Sequence, residues 1–520
     1  MVGARSRAFA VARGTVLATS VLLLCRGITS PFLGWHELNS AMYAQFARNH
    51  LQYGLGYTAL FCTWGDTAAP PPVPDRYLNH PPLIALWTAV PLALLGDHEW
   101  TARLTPIAAT LGSVFLLGTI LSRLGSPLLG LLGSFSFATL PLTLYFGRMI
   151  DHVAPVQFFT LLMLHGYLEW EGLYPGPPRP RRGVSCFVAG AVLGIGTGWA
   201  AVIPAALLWA WHRSRAARGS AERRRLLWLA GVPAAALAAV LLHILAGSGF
   251  KLLMLPELLL DRTVEGQGGA QPWSAWLSLQ WVYFTRNFTL PGAVAALALL
   301  LVTRRALPGA PRVASALALD GDLGTVIGLT GLHGLLYVVL FKNQSWFHDY
   351  WQFFLGPFVA TGLAGLALGA RAALLPRAPR LAPVAAGALL LLPLPFAARS
   401  LAFYASWPAP HAEHVRALRR LGELVPKRAP VWTSVRWRTG SETFGGWTSR
   451  WPHPVIEYYA NRPLLYTRDT EEVKANRPGC AAYLLVRGRK AWSHDLEAAL
   501  ARSYEGIPVG PDHEIFLLPR

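Results

Sequence analysis

Side chains that could transfer protons or bind phosphate are concentrated at a few places in a chain that is otherwise poor in charge. Only 14% of the 520 residues are charged, against roughly 25% in soluble proteins. The segment 34–83 is the longest of these places, with His36 and Glu37 near its start and His80 near its end. A carboxylate can act as a general base towards a hydroxyl group. Cationic side chains can stabilise a phosphate leaving group, so these residue types suit group transfer from a phosphorylated donor.

Glu37 has a structural and a functional interpretation. The apolar residues around it follow the i, i+3, i+4, i+8 spacing of one helical face: Leu38, Ala41, Met42 and Phe46. Glu37, Ser40 and Arg48 lie off this stripe, which predicts an amphipathic helix fit to lie on a membrane surface. Glu37 would then begin the helix, where the helix dipole favours an ionised carboxylate. The alternative is a general base that faces a cavity at membrane level.

His80 precedes two prolines in the motif YLNHPPL. Pro81 favours extended geometry at His80, and Pro82 does the same for Pro81, so a helix is not expected to continue through them. His80 is thereby placed at the entry to the apolar segment 81–96. It is either an interfacial histidine at a turn or a functional residue.

The motif GRMIDH contains Arg148, Asp151 and His152 between two apolar segments. Ionisable residues at membrane depth usually pair with one another or line a water-filled cavity. Arg148 and Asp151 could be a structural ion pair. Alternatively, the guanidinium group could hold a phosphate in a bidentate way while the carboxylate positions a hydroxyl group.

A third motif, WFHDYW, contains His348, Asp349 and Tyr350. Aromatic residues are usual at a membrane interface, and a solvated loop would tolerate the histidine and the aspartate. The segment 247–288 adds further ionisable residues, most of which are interpreted as ordinary surface charges: Lys251, Glu257, Asp261, Arg262 and Arg286. No single motif is specific, and their convergence on one side of the membrane is the stronger indication.

The hydrophobic pattern that must position these motifs is that of a polytopic membrane protein. Hydrophobic residues make up 53% of the chain, and apolar runs near the roughly 20 residues of a membrane span recur up to about Arg399. They predict a mainly α transmembrane domain, 1–399, with about eleven helices. The predicted spans are 10–28, 103–122, 126–146, 153–169, 184–198, 200–212, 226–246, 289–303, 323–341, 351–370 and 381–398.

The net charge of +19 indicates topology rather than nucleic-acid binding, because the basic residues cluster in short loops between spans. The positive-inside rule predicts a cytoplasmic N-terminus. It predicts that the loops 29–100 and 247–288 lie at the outer face. Counting 81–96 as a span would move the basic cluster at 179–182 outside, so this segment is predicted to be a helix at the outer interface.

Residues 400–520 are predicted to form a soluble, extracytoplasmic α/β domain. Four short strands are indicated by VWTS, PLLYT, AAYLLV and EIFLLP. The segments between them have helical patterns. Alternation of strands and helices predicts a small, largely parallel sheet.

The order and approximate spacing of these motifs resemble the GT-C glycosyltransferases, in the branch of the protein O-mannosyltransferases and the lipid A aminoarabinose transferase. The similarity extends over essentially the whole chain. The matching pieces are HELNSAMYAQFARN, HPPL, EWTARLTP, GRMIDH, FHDYW and, more weakly, EYYANRP. The resemblance implies a GT-C-like fold in a bacterial inner membrane. It also implies inverting transfer of a sugar from a polyprenyl-phosphate donor to a protein, lipid or glycan acceptor.

The resemblance also implies roles for individual residues. Glu37 and Asp151 correspond to the acids of the first two outer loops, although the family usually has an Asp-Glu pair where this chain has His36-Glu37. The cations considered for the phosphate are Arg148, His80, Lys342 and Arg286. Substrate-binding roles are expected for His36, His80, Arg148, His152, His348, Asp349 and Tyr350. No cofactor is required by the residue spacing, and dependence on a divalent metal is left open.

Three other classes of protein are alternatives to a glycosyltransferase. A transporter or flippase of lipid-linked sugars would predict related halves and ionisable groups near mid-span, and the sequence has neither. A non-catalytic scaffold would leave the acid-bearing first loop unexplained. A polysaccharide polymerase or ligase stays open, because it also uses lipid-linked sugars and large outer loops.

Overall fold

The chain forms two compact units, each assembled from three separate pieces. The membrane unit comprises Met1–Ile28, Asn79–Ile84 and Arg103–Ala405. The tail unit comprises Thr29–Leu78, Ala85–Ala102 and Ser406–Arg520. The tail sequence thus shares its unit with most of the predicted loop 29–100. The computed structural model describes residues 2–65, 70, 72–215, 220–263, 271–303, 321–406, 412–426, 429–435, 454–487 and 491–519.

Seven helices in the described part of the chain are long and apolar enough to cross a membrane. Each overlaps one predicted span, which confirms a polytopic membrane protein. The seven are Arg7–Cys25, Glu99–Leu124, Arg224–Gly247, Trp273–Leu301, Asp322–Leu340, Asp349–Leu374 and Leu381–Ser406.

The other four predicted spans coincide with helices that are shorter or less apolar. The predicted span 126–146 is divided, because Leu140 is extended before Pro141, as expected of a residue that precedes proline. The predicted interfacial segment 81–96 contains a helix of 13 residues, Leu83–Leu95. The helices at the four other spans are Pro127–Thr139 with Pro141–Phe146, Val153–Trp170, Pro180–Thr197 and Val202–Arg215.

The predicted loop 247–288 is largely helical where the structure describes it. It contains the helix Met254–Thr263 and the first half of the helix Trp273–Thr303. The long helix is interrupted at Thr289, where φ is 68° and ψ is 160°. The hydroxyl oxygen of Thr289 accepts a hydrogen bond of 3.3 Å from the amide of Gly292. Thr289 therefore caps the second half of the helix, which is the part that the apolar pattern predicted.

Helices Val153–Trp170 and Pro180–Thr197 pack with their backbones almost in contact. A Cβ atom added at Gly190 would lie 2.5 Å from the backbone nitrogen of Met163, and one at Gly183 would lie 2.4 Å from that of Trp170. Small residues permit such close packing of membrane helices. This pair is important for the site described below, because the first helix begins directly after His152.

The C-terminal end of the helix Val153–Trp170 is held by a buried carboxylate. Oε1 of Glu169 lies 2.7 Å from Nη1 of Arg123, and Oε2 lies 3.4 Å from Nε of Arg182. The two arginines come from neighbouring helices. The ion pairs therefore join three helices at this end.

The tail unit contains a five-stranded mixed sheet. Strands Val431–Thr433, Leu464–Tyr466, Ala482–Val486 and His513–Leu517 confirm the four predicted strands, and Gly506–Pro508 is an additional one. The first three are parallel, whereas His513–Leu517 is antiparallel to both of its neighbours, Ala482–Val486 and Gly506–Pro508. The prediction of a largely parallel sheet is wrong for this strand: only four residues join it to Gly506–Pro508, and parallel strands need a longer crossover. In sheet order the strands are 464–466, 431–433, 482–486, 513–517 and 506–508.

The predicted helix of the first loop is present in the tail unit as Glu37–Tyr53. It packs against the helix Pro454–Ala460, which contains most of the motif EYYANRP. Ser40 and Arg48 are buried, and so are Ala41 and Phe46 of the predicted apolar stripe, whereas Leu38 is 38% exposed. The helix is therefore buried on its polar side as well as along most of its apolar stripe.

Candidate active site

The predicted site residues lie in both units. His36 and Glu37 belong to the tail unit. The others belong to the membrane unit, namely His80, Arg148, Asp151, His152, His348, Asp349 and Tyr350.

Asp151, His152 and His80 form a compact group in the membrane unit. Asp151 and His152 lie in the turn before the helix Val153–Trp170, and both are buried. Oδ1 of Asp151 is 2.6 Å from Nδ1 of His152. The His80 ring stacks on the His152 ring with a centroid distance of 4.6 Å. The structure thus brings together a carboxylate and two imidazoles from the motifs YLNHPPL and GRMIDH.

The group is continued by aromatic side chains from the helix Asp322–Leu340 and the segment that follows it. Nε2 of His152 lies 3.3 Å from the hydroxyl oxygen of Tyr337. The Tyr337 ring is 4.8 Å from the Trp351 ring, and the His348 ring stacks on Trp351 at 5.6 Å. His348 is therefore linked to His152 through two packed aromatic rings.

Arg262 is a further candidate site residue, in a segment whose sequence indicates mainly surface charges. Its side chain is buried, with 6% of the residue exposed. Nη2 donates a hydrogen bond of 2.6 Å to the carbonyl oxygen of Asn79, which also accepts one of 3.1 Å from Nε1 of Trp199. Arg262 therefore lies beside the residue that precedes His80.

Among the described residues, no carboxylate oxygen lies within 4.0 Å of the guanidinium nitrogens of Arg262. Within the same part of the chain, its Nε atom has no hydrogen-bond partner. Burial lowers the pKa of His80 well below its ordinary value, and the nearby Arg262, His152 and His348 lower it further. His80 is consequently neutral at physiological pH, and the positive charge at this place is that of Arg262.

Arg286 is more exposed than Arg262, with 17% of its side chain accessible, and it is paired with a carboxylate. Its Nη2 lies 2.7 Å from Oδ2 of the fully buried Asp349. The backbone carbonyl of Asp349 accepts a hydrogen bond of 2.9 Å from Nδ2 of Asn287. The guanidinium carbon also lies 4.6 Å from the ring centroid of Phe403. The pair compensates the charge of Arg286, which leaves Arg262 as the better candidate for binding an anion.

Arg148 and Lys342 donate hydrogen bonds to backbone carbonyl groups. Arg148 donates to Arg26 at the end of the first helix. Nζ of Lys342 lies 2.6 Å from the carbonyl oxygen of Gln271. These contacts help to hold both side chains in place, and the phosphate contacts predicted for Arg148 and Lys342 stay a prediction.

Tyr350 packs inside the membrane unit. It is buried, and its ring centroid lies 5.6 Å from that of Phe146 and 5.2 Å from that of His348. These ring contacts help to hold the WFHDYW segment in place. Its predicted contact with substrate stays a prediction.

Glu37 is the first residue of its helix, where its carboxylate lies near the positive end of the helix dipole. It is 3% exposed. His36 precedes the helix with a φ of 57°, and its ring is 4.7 Å from that of Trp35. The helix position expected for Glu37 is thus confirmed, and its catalytic role stays a prediction.

The membrane-unit group can perform two chemical tasks. Asp151 is a buried carboxylate that can accept a proton from a hydroxyl group. Arg262 is a buried cation that can bind a phosphate group. No group of three or more His, Cys, Asp or Glu side chains in the described ranges is arranged to hold a metal ion.

Comparisons with known proteins give matches among solved structures. No protein-family model and no curated protein sequence matches the chain. The structure of ArnT from Cupriavidus metallidurans in the apo state is similar with a TM-score of 0.60 and 12% identity, covering 99% of this chain and 100% of that one. ArnT bound to undecaprenyl phosphate gives a TM-score of 0.59 and 12% identity, with coverages of 97% and 99%.

A second similar structure is the archaeal oligosaccharyltransferase AglB from Archaeoglobus fulgidus, in complex with an inhibitory peptide and a dolichol-phosphate. Its TM-score is 0.52 at 12% identity, and the match covers 98% of this chain and 74% of that one. Both ArnT and AglB are GT-C glycosyltransferases. The chain therefore has the GT-C fold, which confirms the predicted structural resemblance.

Proposed function

We propose that this chain is a glycosyltransferase that moves a sugar from a polyprenyl-phosphate donor to a hydroxyl group of a protein, lipid or glycan. The observation that carries the proposal is Arg262, whose buried charge lies beside His80 and the Asp151–His152 pair. A buried charge is costly unless an opposite charge compensates it. In a membrane protein, the phosphate of a lipid-linked donor is well suited to supply that charge.

The similar structures support the chemical class of the donor. ArnT was solved with undecaprenyl phosphate, and AglB was solved with a dolichol-phosphate. Both ligands combine a polyprenyl chain with a phosphate. The same combination suits a buried guanidinium group in a unit built of apolar helices.

In the proposed reaction, the acceptor oxygen forms a bond to the anomeric carbon while the bond from that carbon to the phosphate oxygen breaks. The bonding electrons leave with the polyprenyl phosphate, and Arg262 stabilises its charge. The acceptor proton passes to Asp151, with Glu37 as the alternative base. Attack from the side opposite the phosphate inverts the anomeric configuration.

The proposed location of this reaction is the outer face of a bacterial inner membrane. The basic loops predict a cytoplasmic N-terminus and place the YLNHPPL, GRMIDH and WFHDYW motifs on the other side. A lipid-linked donor would therefore be consumed outside the cytoplasm.

The test is a transfer assay with the purified protein in lipid nanodiscs and a panel of radiolabelled polyprenyl-phosphate sugars. We expect release of polyprenyl phosphate together with labelled product. Asp151→Asn should lower kcat by about 10²–10⁴-fold if this residue is the base. Glu37→Gln is assayed in parallel, and Arg420→Ala, which removes an exposed ion pair, is the control.

The proposal is wrong if no donor in the panel is consumed by folded wild-type protein. The base assignment fails if Asp151→Asn and Glu37→Gln both retain the wild-type kcat. A flippase would move the labelled donor between leaflets without releasing polyprenyl phosphate, so the same assay separates the two classes.

A further inference from the structure

An apolar groove lies on the membrane unit, with none of the candidate site residues in its wall. It has a volume of about 490 Å³, and only apolar groups line it. Its walls come from three helices: Val2–Cys25, Glu99–Leu124 and Val153–Trp170. Leu17 and Phe115 are among the lining residues. A wall without polar groups suits a hydrocarbon chain rather than a sugar or a peptide.

A cation lies beside this groove. Arg13 is one helical turn before Leu17, and its Nη2 donates a hydrogen bond of 2.9 Å to the carbonyl oxygen of Phe115. It also donates to the hydroxyl group of Thr119. The guanidinium carbon is 4.0 Å from the ring centroid of Phe115, which lines the groove. The head of Arg13 is thus fixed at the groove by contacts with neutral groups.

The charge of Arg13 is uncompensated in the described part of the protein. No carboxylate there lies within 4.0 Å of its guanidinium group. Arg13 is also inside a helix that can cross the membrane, Arg7–Cys25. The helix as a whole begins at Val2, so at 1.5 Å per residue Arg13 lies about 16 Å from its start. Both hydrogen bonds of Arg13 come from Nη2, so Nε and Nη1 of the same guanidinium group can donate to a lipid phosphate beside the groove.

We propose that the groove binds one hydrocarbon chain of an anionic phospholipid, while Arg13 binds its phosphate. The lipid comes from the leaflet that contains the N-terminal end of the first helix. The apolar wall accounts for the chain, and the uncompensated guanidinium group accounts for an anionic headgroup. This lipid would fill the space between three helices and stabilise their packing. The site is independent of the glycosyl-transfer proposal.

The test uses the full-length protein in nanodiscs made of phosphatidylglycerol or phosphatidylcholine with identical acyl chains. Bound lipids are counted by native mass spectrometry after transfer to mild detergent, and thermal unfolding is measured in parallel. We expect wild-type protein to retain phosphatidylglycerol in preference to phosphatidylcholine by about fivefold, the effect of one basic residue near the membrane surface. Arg13→Gln should abolish this preference, and Arg13→Lys should retain most of it.

A second pair of variants tests the groove. Val21 lines it and is 40% exposed, so Val21→Trp should fill it and reduce retention of both lipids. Val192 has a similar exposure, 42%, on a helix outside the groove. Val192→Trp is therefore the matched control and should bind lipid like the wild type.

Equal retention of the two lipids by the wild type would overturn the proposal, and so would an unchanged preference in Arg13→Gln. Unchanged binding in Val21→Trp would exclude the groove as the site. If undecaprenyl phosphate alone is retained, or a second copy of the chain in place of lipid, the assigned occupant is wrong.

Discussion

Arg262 is the side chain whose environment most directly indicates a ligand. Replacing it with methionine removes the charge but keeps much of the volume. We expect Arg262→Met to raise the donor KM by about tenfold or more, because a hydrogen bond to a charged group contributes roughly 1.5–3 kcal/mol. Arg262→Lys should recover part of this loss, since lysine retains the charge but not the planar fork.

Steady-state kinetics over a range of donor concentrations checks this prediction. Lys251→Met is the control, because Lys251 is an exposed cation close to the same helix. A donor KM that is unchanged in Arg262→Met would assign Arg262 a purely structural role at the Asn79 carbonyl.

His50 predicts how the stability of the tail unit depends on pH. Its Nδ1 lies 2.9 Å from the hydroxyl oxygen of Thr58, and its Nε2 has no hydrogen-bond partner in the described ranges. Burial lowers the pKa of His50 from 6.5 to about 4. The unfolded chain therefore binds a proton at a higher pH than the folded chain. As the pH falls from 6.5 to 4, this residue should lower the free energy of unfolding by about 3 kcal/mol.

Thermal unfolding of the wild type and His50→Gln at several pH values between 7 and 4 isolates this contribution. The wild type should lose more stability over that interval than the variant. Parallel curves for the two proteins would show that His50 does not titrate with the lowered pKa.

Some of these side chains can be recognised from the sequence and others cannot. Asp151, His152 and His80 stand out because each is an ionisable residue next to an apolar helix, and the structure brings these three together. Arg262 does not stand out, because it is one of several ionisable residues spread along the segment 247–288. Its burial depends on a contact with Asn79, 183 residues away, which no local pattern records.

The helices Val153–Trp170 and Pro180–Thr197 leave no room between them for a side chain larger than that of Gly190. Gly190→Val would force its side chain against the Met163 backbone, 2.5 Å from the added Cβ. We expect a loss of about 1–3 kcal/mol of stability or more, as for other overpacked sites. Because the first helix begins at the Asp151–His152 turn, kcat should fall as well.

Gly231→Val is the matched control, because an added Cβ there meets nothing within 4 Å. Its cost should be small, since valine has at least the helix propensity of glycine. Thermal unfolding and the transfer assay of both variants check the prediction. Equal stability of the two variants would contradict the close backbone packing.

Apolar patterns predict the position of a helix well when the whole helix faces lipid or core. The predicted spans 226–246 and 323–341 differ from the apolar spans Arg224–Gly247 and Asp322–Leu340 of the structure by one or two residues at each end. The helix Trp273–Thr303 begins 16 residues before the predicted start at 289. Its first half contains buried polar residues such as Gln280 and Asn287, so it does not have the composition of a span.

On the scale of the whole chain, composition alone cannot predict how the tail unit is assembled. A change in hydrophobicity near residue 400 predicts a boundary there. The structure divides the chain close to there, between Ala405 and Ser406, but it also groups Ser406–Arg520 with Thr29–Leu78 and Ala85–Ala102. These pieces are joined by contacts between residues as much as 427 positions apart. Tertiary hydrogen bonds of this kind have no periodicity that a sequence pattern could show.

Arg48 joins all three pieces of the tail unit, and its removal tests that organisation. Nε and Nη2 contact the two carboxylate oxygens of Asp97 at 2.6 and 3.2 Å, and Nη1 lies 2.9 Å from the carbonyl oxygen of Tyr458. We expect Arg48→Met to destabilise the tail unit by about 3 kcal/mol, because buried charge-assisted hydrogen bonds lose their donor. The exposed pair of Arg420 and Glu423 provides the control, since Arg420→Ala should cost under about 1 kcal/mol.

Limited proteolysis of the full-length protein distinguishes a local from a global effect of Arg48→Met. If Arg48 holds three pieces together, cleavage should accelerate in all of them, within 29–78, 85–102 and 406–520. The helices of the membrane unit should be cleaved at the wild-type rate. Faster cleavage confined to the helix Glu37–Tyr53 would mean that the tail sequence keeps its structure without the first-loop pieces, as the predicted boundary near residue 400 requires.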